Sequence, residues 1–544
     1  MAVKRELRHL NMHYKPRHFT SVGEWELYAK WLRRHARVSL GLLPAPPRPS
    51  LKPQVFGRWE GEGFTCEKVY LETLPGFYST GNLFRPAGAS RKRGRQPAIL
   101  CPHGHWADGR LHDRDPLGSI IARCMQLARM GATVFSWDMV GLTDSCQVPH
   151  RIFAVDEHWG MSLMGLQAWH STCALDWLLS MKGVDPKRIG ITGCSGGGTQ
   201  TFTMMAAEER LAAAAPICMI SYSMQGGCLC ENAPLMRVDA TSVDLARVFA
   251  PKPAFMGSCT GDWTKNTPRE EFPAVRDIYR LYGKTGDLYN VHVKEQHNYN
   301  LELREAVYGF FNRYLFGAKS AKPVKEEWAV RPPHADRMVW WGREAPEKVS
   351  PKEMLSIWIE RQKKALKPHL KSPSAARKAL GPLLPHCLGV TLTSVDEFRR
   401  RRPEGISVVE EAGTLVVSPG PKAPDRTGEV QFFSAYNRMP FGDRAHEVLA
   451  AIENSNGRAK LVGKGEAGLW CLVAGALSPK VRALDVELRG FDPKADSSWK
   501  RRFDVPAIRQ VGGLATVFAM IGKRPLKLRH ASAAARKLAK QYAK

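Results

Sequence analysis

The chain has 544 residues, 44% of them hydrophobic, and this length allows roughly two to four domains. The formal net charge of +28 would favour a polyanionic partner if it were clustered, but the basic residues are scattered and no nucleic-acid-binding motif is present, so we expect no specific nucleic-acid partner. Twelve cysteines over this length predict reduced thiols and argue against a disulfide framework.

Residues 1–54 are predicted to form a basic helical arm that precedes the globular core. The segment EWELYAKWLRRHARVSL has helical periodicity, and the proline-rich PAPPRPSLKP closes it. The first twenty residues carry basic side chains without a following apolar run, which fits neither a signal peptide nor a membrane span. We therefore expect no membrane span and, without an export signal, a cytoplasmic location.

Residues 55–318 are predicted to form an α/β domain, in which a mostly parallel sheet is covered by helices on both faces. Two strands, FTCEKVYLETL and GFYSTGNLFRP, would pair as an antiparallel hairpin at the sheet edge. The later strands are predicted at PAILCPHG, ATVFSWDMVG, RIGITGCSG, AAAAPICMIS, PAFMGSCTGD and YNVHVKEQHN. The helices are predicted at LGSIIARCMQLARMG, LMGLQAWHSTCALDWLLSMKG, GTQTFTMMAAEERL and FPAVRDIYRLYGKTG.

Residues 319–403 are predicted to form a linker that packs across the surface. The segment is rich in Pro, Lys and Arg and contains one amphipathic helix, KEMLSIWIERQKKALK. The densest basic run, Arg399–Arg402, is followed by Pro403 and is typical of a solvated linker.

Residues 404–544 are predicted to be a shortened, degenerate copy of the α/β unit. They repeat the order helix, short strand, glycine-rich turn. Aligning Gly463 with Gly193 places Gly465 where Ser195 stands, so the copy would lack a nucleophile. KVRALDVELRG and KRPLKLRHA then match the next two strands. An unrelated βα layer is the alternative.

The stretch GITGCSGGGTQT fits the G-x-S-x-G nucleophile elbow, in which a strand turns sharply into a helix. Such a turn strains the serine backbone and brings neighbouring residues so close that side chains at Gly193 and Gly197 would clash. The turn would expose the Ser195 hydroxyl and leave the Gly196 amide at a helix N-terminus, where it can bind an oxyanion. A phosphate cradle is disfavoured because the GK[ST] ending is missing.

A serine nucleophile needs a histidine base and an orienting carboxylate, which in this fold class follow in the order Ser, Asp or Glu, His. Asp262 follows the strand PAFMGSCTG, and His297 follows YNVHVKEQ. Both would therefore stand at strand ends that face Ser195. Glu231, in GGCLCENAPLMR, is a second candidate for the triad acid.

The second oxyanion donor is expected after the strand PAILCPHG, from the amide of Gly104 or His105. His103 and Trp106 from the same stretch are predicted to line the substrate pocket. The insertion SYSMQGGCLCENAPLMRV is predicted to form a pocket wall. Its candidate lining residues, which could equally be ordinary loop-packing residues, are Met224, Cys228 and Leu229.

Two sets of residues in the sequence could bind a metal ion, and neither is favoured. The stretch HGHWADGRLHDRD offers His103, His105, Asp108 and His112, but their spacing departs from the HxHxDH pattern of metallo-β-lactamases. Cys228 and Cys230 lack a second ligand pair in the sequence. We therefore expect no metal site and no cofactor.

The run from about Phe64 to Phe316, with HGH, DMVG, GCSGGGTQT, CLCENAP, GDWTKNTP and HNYN, resembles the bacterial acetyl xylan esterase-like α/β-hydrolases. These are similar in turn to the wider serine esterase and prolyl-oligopeptidase superfamily. The resemblance implies an α/β-hydrolase fold and hydrolysis of acetylated carbohydrate or similar small esters, with the triad Ser195, Asp262 and His297. Glucuronoyl esterases carry an arginine soon after the serine, where Gly196 and Gly197 stand here.

Two other functions remain as alternatives. A non-catalytic binding or scaffold protein would use the basic surface and the tandem units instead of the triad. A peptidase of the same superfamily would normally bring a β-propeller, and no blade repeats are visible.

Overall fold

The computed structural model describes residues 6–90, 94–150, 156–390, 404–421 and 425–544, and the solvated linker predicted at Arg399–Arg402 lies outside these ranges. The first part of the chain forms one large sheet and a two-stranded ladder. In chain order the strands are β1 Leu51–Gly61, β2 Phe64–Leu74, β3 Phe77–Pro86, β4 Gln96–Leu100, β5 Asp113–Arg114, β6 Gly118–Ser119, β7 Thr133–Trp137, β8 Val184–Cys194, β9 Ala213–Ile217, β10 Ala254–Gly261 and β11 Leu288–Gln296.

The large sheet has the order β1-β2-β3-β7-β4-β8-β9-β10-β11. Strands β1, β2 and β3 are antiparallel, and the six strands from β7 to β11 run parallel to one another. Strands β7 and β9 are buried at every residue, which is the signature of parallel strands covered on both faces. The predicted α/β architecture is therefore confirmed.

The helices of this part are α1 Val22–Ser39, α2 Ile120–Arg129, α3 Leu163–Ser180, α4 Gly196–Ala207, α5 Ser242–Arg247, α6 Glu271–Leu281 and α7 Leu301–Phe316. Several begin at a side chain that accepts a hydrogen bond from an otherwise unpaired amide of the first turn. Ser119 caps α2, Ser162 caps α3, and Asn300 caps α7 in this way. These caps place the helix starts at the loops that follow strand ends.

Two features at the start of the chain differ from the prediction. Strand β1 begins at Leu51, inside the segment expected to close the arm, so three antiparallel strands precede the parallel ones. Pro53 is tolerated because β1 is an edge strand. Helix α1 belongs to the core, since its periodic apolar face buries Trp25, Leu32 and Ala36 completely.

The segment that connects the two sheets contains α8 His334–Arg337, α9 Pro351–Leu366, α10 Pro373–Ala379 and α11 Leu384–Cys387. Helix α9 is the amphipathic helix that the sequence predicts. Its Trp358 is fully buried and donates from the indole nitrogen to the carbonyl of Trp159 at 2.9 Å. The segment thus packs onto the first part of the chain.

A second sheet unit follows, as predicted. Its strands are β12 Ile406–Glu411, β13 Thr414–Pro419, β14 Ala459–Gly463, β15 Val481–Glu487 and β16 Leu526–Arg529, paired in sequence order and parallel from β13 onward. Its helices are α12 Phe433–Tyr436, α13 Pro440–Asn454, α14 Ala467–Leu477, α15 Asp496–Arg502, α16 Gly513–Ile521 and α17 Ala533–Tyr542.

The turn after β14 repeats the turn after β8. Gly465 has a φ of 59°, close to the 60° of Ser195, and a helix begins two residues later. A Cβ added to Gly463 would lie 2.8 Å from the Cα of Gly468, so this turn is also tightly packed. The second unit therefore contains an elbow with glycine in place of the serine.

Side chains of the second sheet unit contact the first part of the chain at several points. Gln510 donates to the carbonyl of Val38 at 3.1 Å, and Ser434 donates to Glu157 at 2.8 Å. His158 lies 3.1 Å from the carboxylate of Asp504. Among the described helices, none combines the length and the apolar character that crossing a membrane requires.

Candidate active site

The carboxyl ends of the parallel strands bring the predicted triad residues to one edge of the sheet. Cys194 pairs with Ile217, and Gly257 pairs with both Ile217 and Val291, so β8 to β11 end at similar heights. Ser195 follows β8, Asp262 follows β10 and His297 follows β11. In open α/β sheets this edge is where ligands bind.

Ser195 stands alone between β8 and α4 with φ 60° and ψ −126°, a strained conformation for a residue with a side chain. A Cβ on Gly193 would lie 2.5 Å from the Gly197 carbonyl oxygen, and one on Gly197 would lie 2.5 Å from the Pro102 carbonyl oxygen. The predicted reason for both glycines, close backbone approach, is thereby confirmed. Ser195 is half-buried, unlike the fully buried residues on either side of it.

The HGH turn lies directly against this elbow. A Cβ on Gly104 would be 3.0 Å from the Cβ of Ser195, and a Cβ on Gly196 would be 2.9 Å from Cε1 of His105. His103 lies beneath the turn, where its Nε2 accepts from the Met139 amide at 2.9 Å. Burial lowers the pKa of His103 to about 3, so this ring is a neutral structural element.

Asp262 and His297 form a hydrogen-bonded pair. Nδ1 of His297 donates to Oδ2 of Asp262 at 2.6 Å, and the other carboxylate oxygen accepts from the amide and hydroxyl of Thr264 at 2.6 and 2.5 Å. Burial acts to raise the pKa of Asp262, but these bonds outweigh it and hold that pKa below its ordinary value. The ring of Trp263 lies 4.5 Å from the His297 ring and supports it from one side. Within the described part of the chain, Nε2 of His297 has no hydrogen-bond partner.

The loop that carries His297 crosses the sheet edge toward the serine strand. β11 lies three strands from β8, which is about 14 Å along the sheet. Nevertheless, the hydroxyls of Tyr299 and Thr192 lie 2.9 Å apart, and Cys218 contacts the carbonyl of Asn298 at 3.4 Å. Tyr299 follows His297 by two residues and Thr192 lies in β8, three residues before the serine, so the loop that carries His297 reaches the strand that leads to Ser195.

Glu231 takes a different position from the one a triad acid needs. Its Oε1 accepts from the Thr199 hydroxyl at 3.0 Å, and its Oε2 accepts from the Gly227 and Cys228 amides at 2.8 and 3.2 Å. The carboxylate therefore holds the insertion after β9 against α4. The sequence missed this role because the bonds depend on the local fold of the insertion.

The residues that were predicted to line one substrate pocket lie in different places in the structure. Trp106 stacks on His112 at 4.7 Å and lies 6.1 Å from the His297 ring, and His103, Gly104 and Trp106 line a small cavity of about 10 Å³. Leu229 lines another cavity, of about 290 Å³, between the two sheet units. Met224, Cys228 and Leu229 are all partly buried against the core.

The histidines and the aspartate of HGHWADGRLHDRD, which were considered as metal ligands, bond to different partners in the structure. Nδ1 of His112 donates to Oδ1 of Asp108 at 2.9 Å, while both ring nitrogens of His103 bond to backbone groups. His105 instead turns toward His150, with their Nε2 atoms 3.2 Å apart. His150 could not be recognised from the sequence, because it is 45 residues from His105 and lies in a loop without a motif.

Helices on both faces of a mostly parallel sheet, joined through a strained strand-to-helix turn, define an α/β-hydrolase. No family model matches the sequence, and no curated protein matches it. Among solved structures, the methylesterase BT1017 is 31% identical with a TM-score of 0.52, and the match covers 64% of this chain and 77% of that one. The chain therefore belongs to the α/β-hydrolase-fold carbohydrate esterases.

Two further solved structures are similar to parts of this chain at lower identity. A glucuronoyl esterase from Solibacter usitatus is 16% identical with a TM-score of 0.42, and the match covers 57% of this chain and 99% of that one. An acetyl xylan esterase from Paenibacillus sp. R4 is 17% identical with a TM-score of 0.37, covering 56% of this chain and 98% of that one.

Proposed function

We propose that the protein hydrolyses carboxylic esters of carbohydrates, with Ser195 as nucleophile, His297 as general base and Asp262 as the orienting carboxylate. The observation that carries this proposal is the Asp262–His297 pair at the sheet edge that also bears Ser195. Nδ1 is bound to the carboxylate at 2.6 Å, which leaves Nε2 as the basic atom. The Tyr299–Thr192 contact supports the approach of the His297 loop to the strand that leads to Ser195.

The reaction would pass through an acyl-enzyme. Nε2 of His297 takes the Ser195 proton as the hydroxyl oxygen attacks the ester carbonyl, and the same proton then goes to the departing alcohol. The amide of Gly196, together with that of Gly104 or His105, would bind the tetrahedral oxyanion. A water molecule activated by the imidazole releases the acid and restores the serine.

Acetylated carbohydrate is the substrate class that the sequence resemblance favours. Methyl esters are the second candidate, because the name of the solved relative BT1017 describes a methylesterase. Gly196 and Gly197 stand where glucuronoyl esterases carry an arginine, and this difference disfavours uronate esters as substrates. Parallel assays with acetylated xylo-oligosaccharides, carbohydrate methyl esters and p-nitrophenyl acetate would rank these classes.

Labelling with an active-site-directed fluorophosphonate tests the nucleophile. We expect the folded wild-type protein to be labelled and Ser195→Ala to lose both the label and esterase turnover. Ser180→Ala, which removes an exposed serine at the end of α3, is the matched control and should behave as wild type. Absence of label in folded wild-type protein would instead support the scaffold alternative.

A further inference from the structure

Four side chains with metal-binding atoms converge beside the serine elbow. They are His105 after β4, His150 after β7, and Cys228 and Cys230 in the insertion after β9, and we call them the Cys2His2 cluster. Their ligand atoms all lie within 4.8 Å of one another. His105 and Cys230 are 125 positions apart in the chain, so the fold alone brings the set together.

Three of the six ligand-to-ligand separations within the Cys2His2 cluster are close to those around a tetrahedral ion. Nε2 of His105 lies 3.1 Å from Sγ of Cys230 and 3.2 Å from Nε2 of His150. Sγ of Cys228 lies 3.5 Å from the same nitrogen of His150. Ligands at the usual zinc distances are separated from one another by roughly 3.3–3.8 Å, so little movement is needed to complete a coordination shell.

The tautomer of His150 is already set for coordination. Its Nδ1–H donates to the Val140 carbonyl at 2.5 Å, which leaves the lone pair of Nε2 directed into the cluster. Metal-bound histidines commonly have this outer hydrogen bond to a carbonyl. A divalent cation would satisfy all four acceptor atoms together, whereas thiol S–H groups are only weak donors.

The cluster is closed on the protein side and open toward solvent. His150 and Cys230 are buried, Cys228 is half-buried and His105 is exposed, so an ion can enter past the His105 ring. Two thiolates and two imidazoles in a tetrahedron favour zinc among the common divalent metals. Four protein ligands fill the shell of such an ion, which is the arrangement of structural zinc sites.

We infer that the protein binds one zinc ion through the Cys2His2 cluster. The ion joins three loops at the rim of the candidate active site: the HGH turn, the loop after β7 and the insertion after β9. The His105 ring packs against Gly196, where an added Cβ would lie 2.9 Å from Cε1, so the ion also holds the turn that carries Gly104. This inference does not depend on which bond the enzyme cleaves.

Metal analysis of the full chain tests the site. Protein incubated with zinc and freed of excess metal should contain about one equivalent, while Cys228→Ser and Cys230→Ser should each retain less than about one tenth of an equivalent. Cys146→Ser is the matched control, because it removes another half-buried thiol outside the cluster and should keep the zinc. Circular dichroism establishes that each variant is folded.

Cobalt reconstitution gives a second readout that needs no variant. Co²⁺ bound to the wild type should show the intense visible bands of a tetrahedral site and a thiolate charge-transfer band. Folded wild-type protein that binds neither ion, zinc retained by both cysteine variants, or a Cys228–Cys230 disulfide in the native protein would overturn the inference. Fluorophosphonate labelling of the same samples reports separately on the proposed esterase.

Discussion

Replacing Gly197 by alanine is a direct test of the elbow geometry. The new Cβ would lie 2.5 Å from the Pro102 carbonyl oxygen and 3.0 Å from the carbonyl carbon of His103. A carbon–oxygen contact is normally no shorter than about 3.3 Å, so the two backbones would have to separate by roughly 0.8 Å. Both neighbours are main-chain atoms, which cannot turn aside as the end of a flexible side chain could.

This displacement has two expected effects of different size. Forcing a methyl group into a packed contact costs about 1–3 kcal/mol of folding stability. The same shift separates the HGH turn from Ser195, and a misplacement of about 1 Å in a catalytic site lowers the rate roughly 100-fold. We therefore expect Gly197→Ala to remain folded while its kcat/KM falls by about two orders of magnitude.

The assay compares kcat/KM for p-nitrophenyl acetate with the thermal unfolding midpoint of the same preparations. Gly183→Ala is the matched control, because an added Cβ there meets no heavy atom within 4 Å. The control should keep wild-type activity and stability. If Gly197→Ala were folded and as active as this control, the proposed oxyanion geometry at the elbow would be refuted.

The remaining predictions concern two carboxylates. Asp262→Asn should lower kcat by on the order of 10³–10⁴-fold, because His297 loses the bond that sets its tautomer, and a loss below tenfold would contradict that role. Burial lowers the pKa of His158, but Asp156 and Asp504 outweigh burial and raise it to about 9. Since this folded-state value is above the ordinary 6.5, the contact stabilises the fold fully below pH 6.5 and is lost as pH rises through 9. Asp504→Asn should therefore cost about 1 kcal/mol of unfolding free energy near pH 6, allowing for solvent screening of Asp504, and almost nothing near pH 10. Equal costs at both pH values in denaturant unfolding would be inconsistent with a charged His158.

Local patterns predicted most of the parallel sheet. Runs such as ATVFSW and AAAAPI are mostly apolar and carry no charged residue, and this pattern is typical of strands buried on both faces. The elbow was also recognisable, because the serine and its glycines form a short contiguous motif, G-x-S-x-G, although Gly197 also contacts the distant Pro102 carbonyl. Strand β1 was missed because it begins in a proline-rich stretch, and the β12–β13 hairpin because both strands are short and partly exposed.

Long-range contacts were the part that the sequence did not reveal. Spacing alone left Glu231 open as a triad acid, since its bonds to Thr199 and to the amides of its own insertion exist only in the folded loop. Cys228 and Cys230 looked isolated for the same reason, because His105 and His150 come from two other loops. Side-chain contacts between different loops depend on how the loops pack over the strand ends, and hydrophobic periodicity does not predict them.

The unit with the glycine elbow is bonded to the insertion that borders the proposed catalytic edge. Tyr436 donates to Asn232 at 2.7 Å, and the amide of Leu235 donates to the carbonyl of Ser434 at 2.7 Å. Substitutions that loosen residues 404–544 are therefore expected to reduce how much correctly assembled enzyme a cell accumulates, while each surviving molecule works at its normal rate. A genetic screen for lost activity would then recover many changes far from any reacting atom, and measurement of protein abundance would separate them from changes in the chemistry.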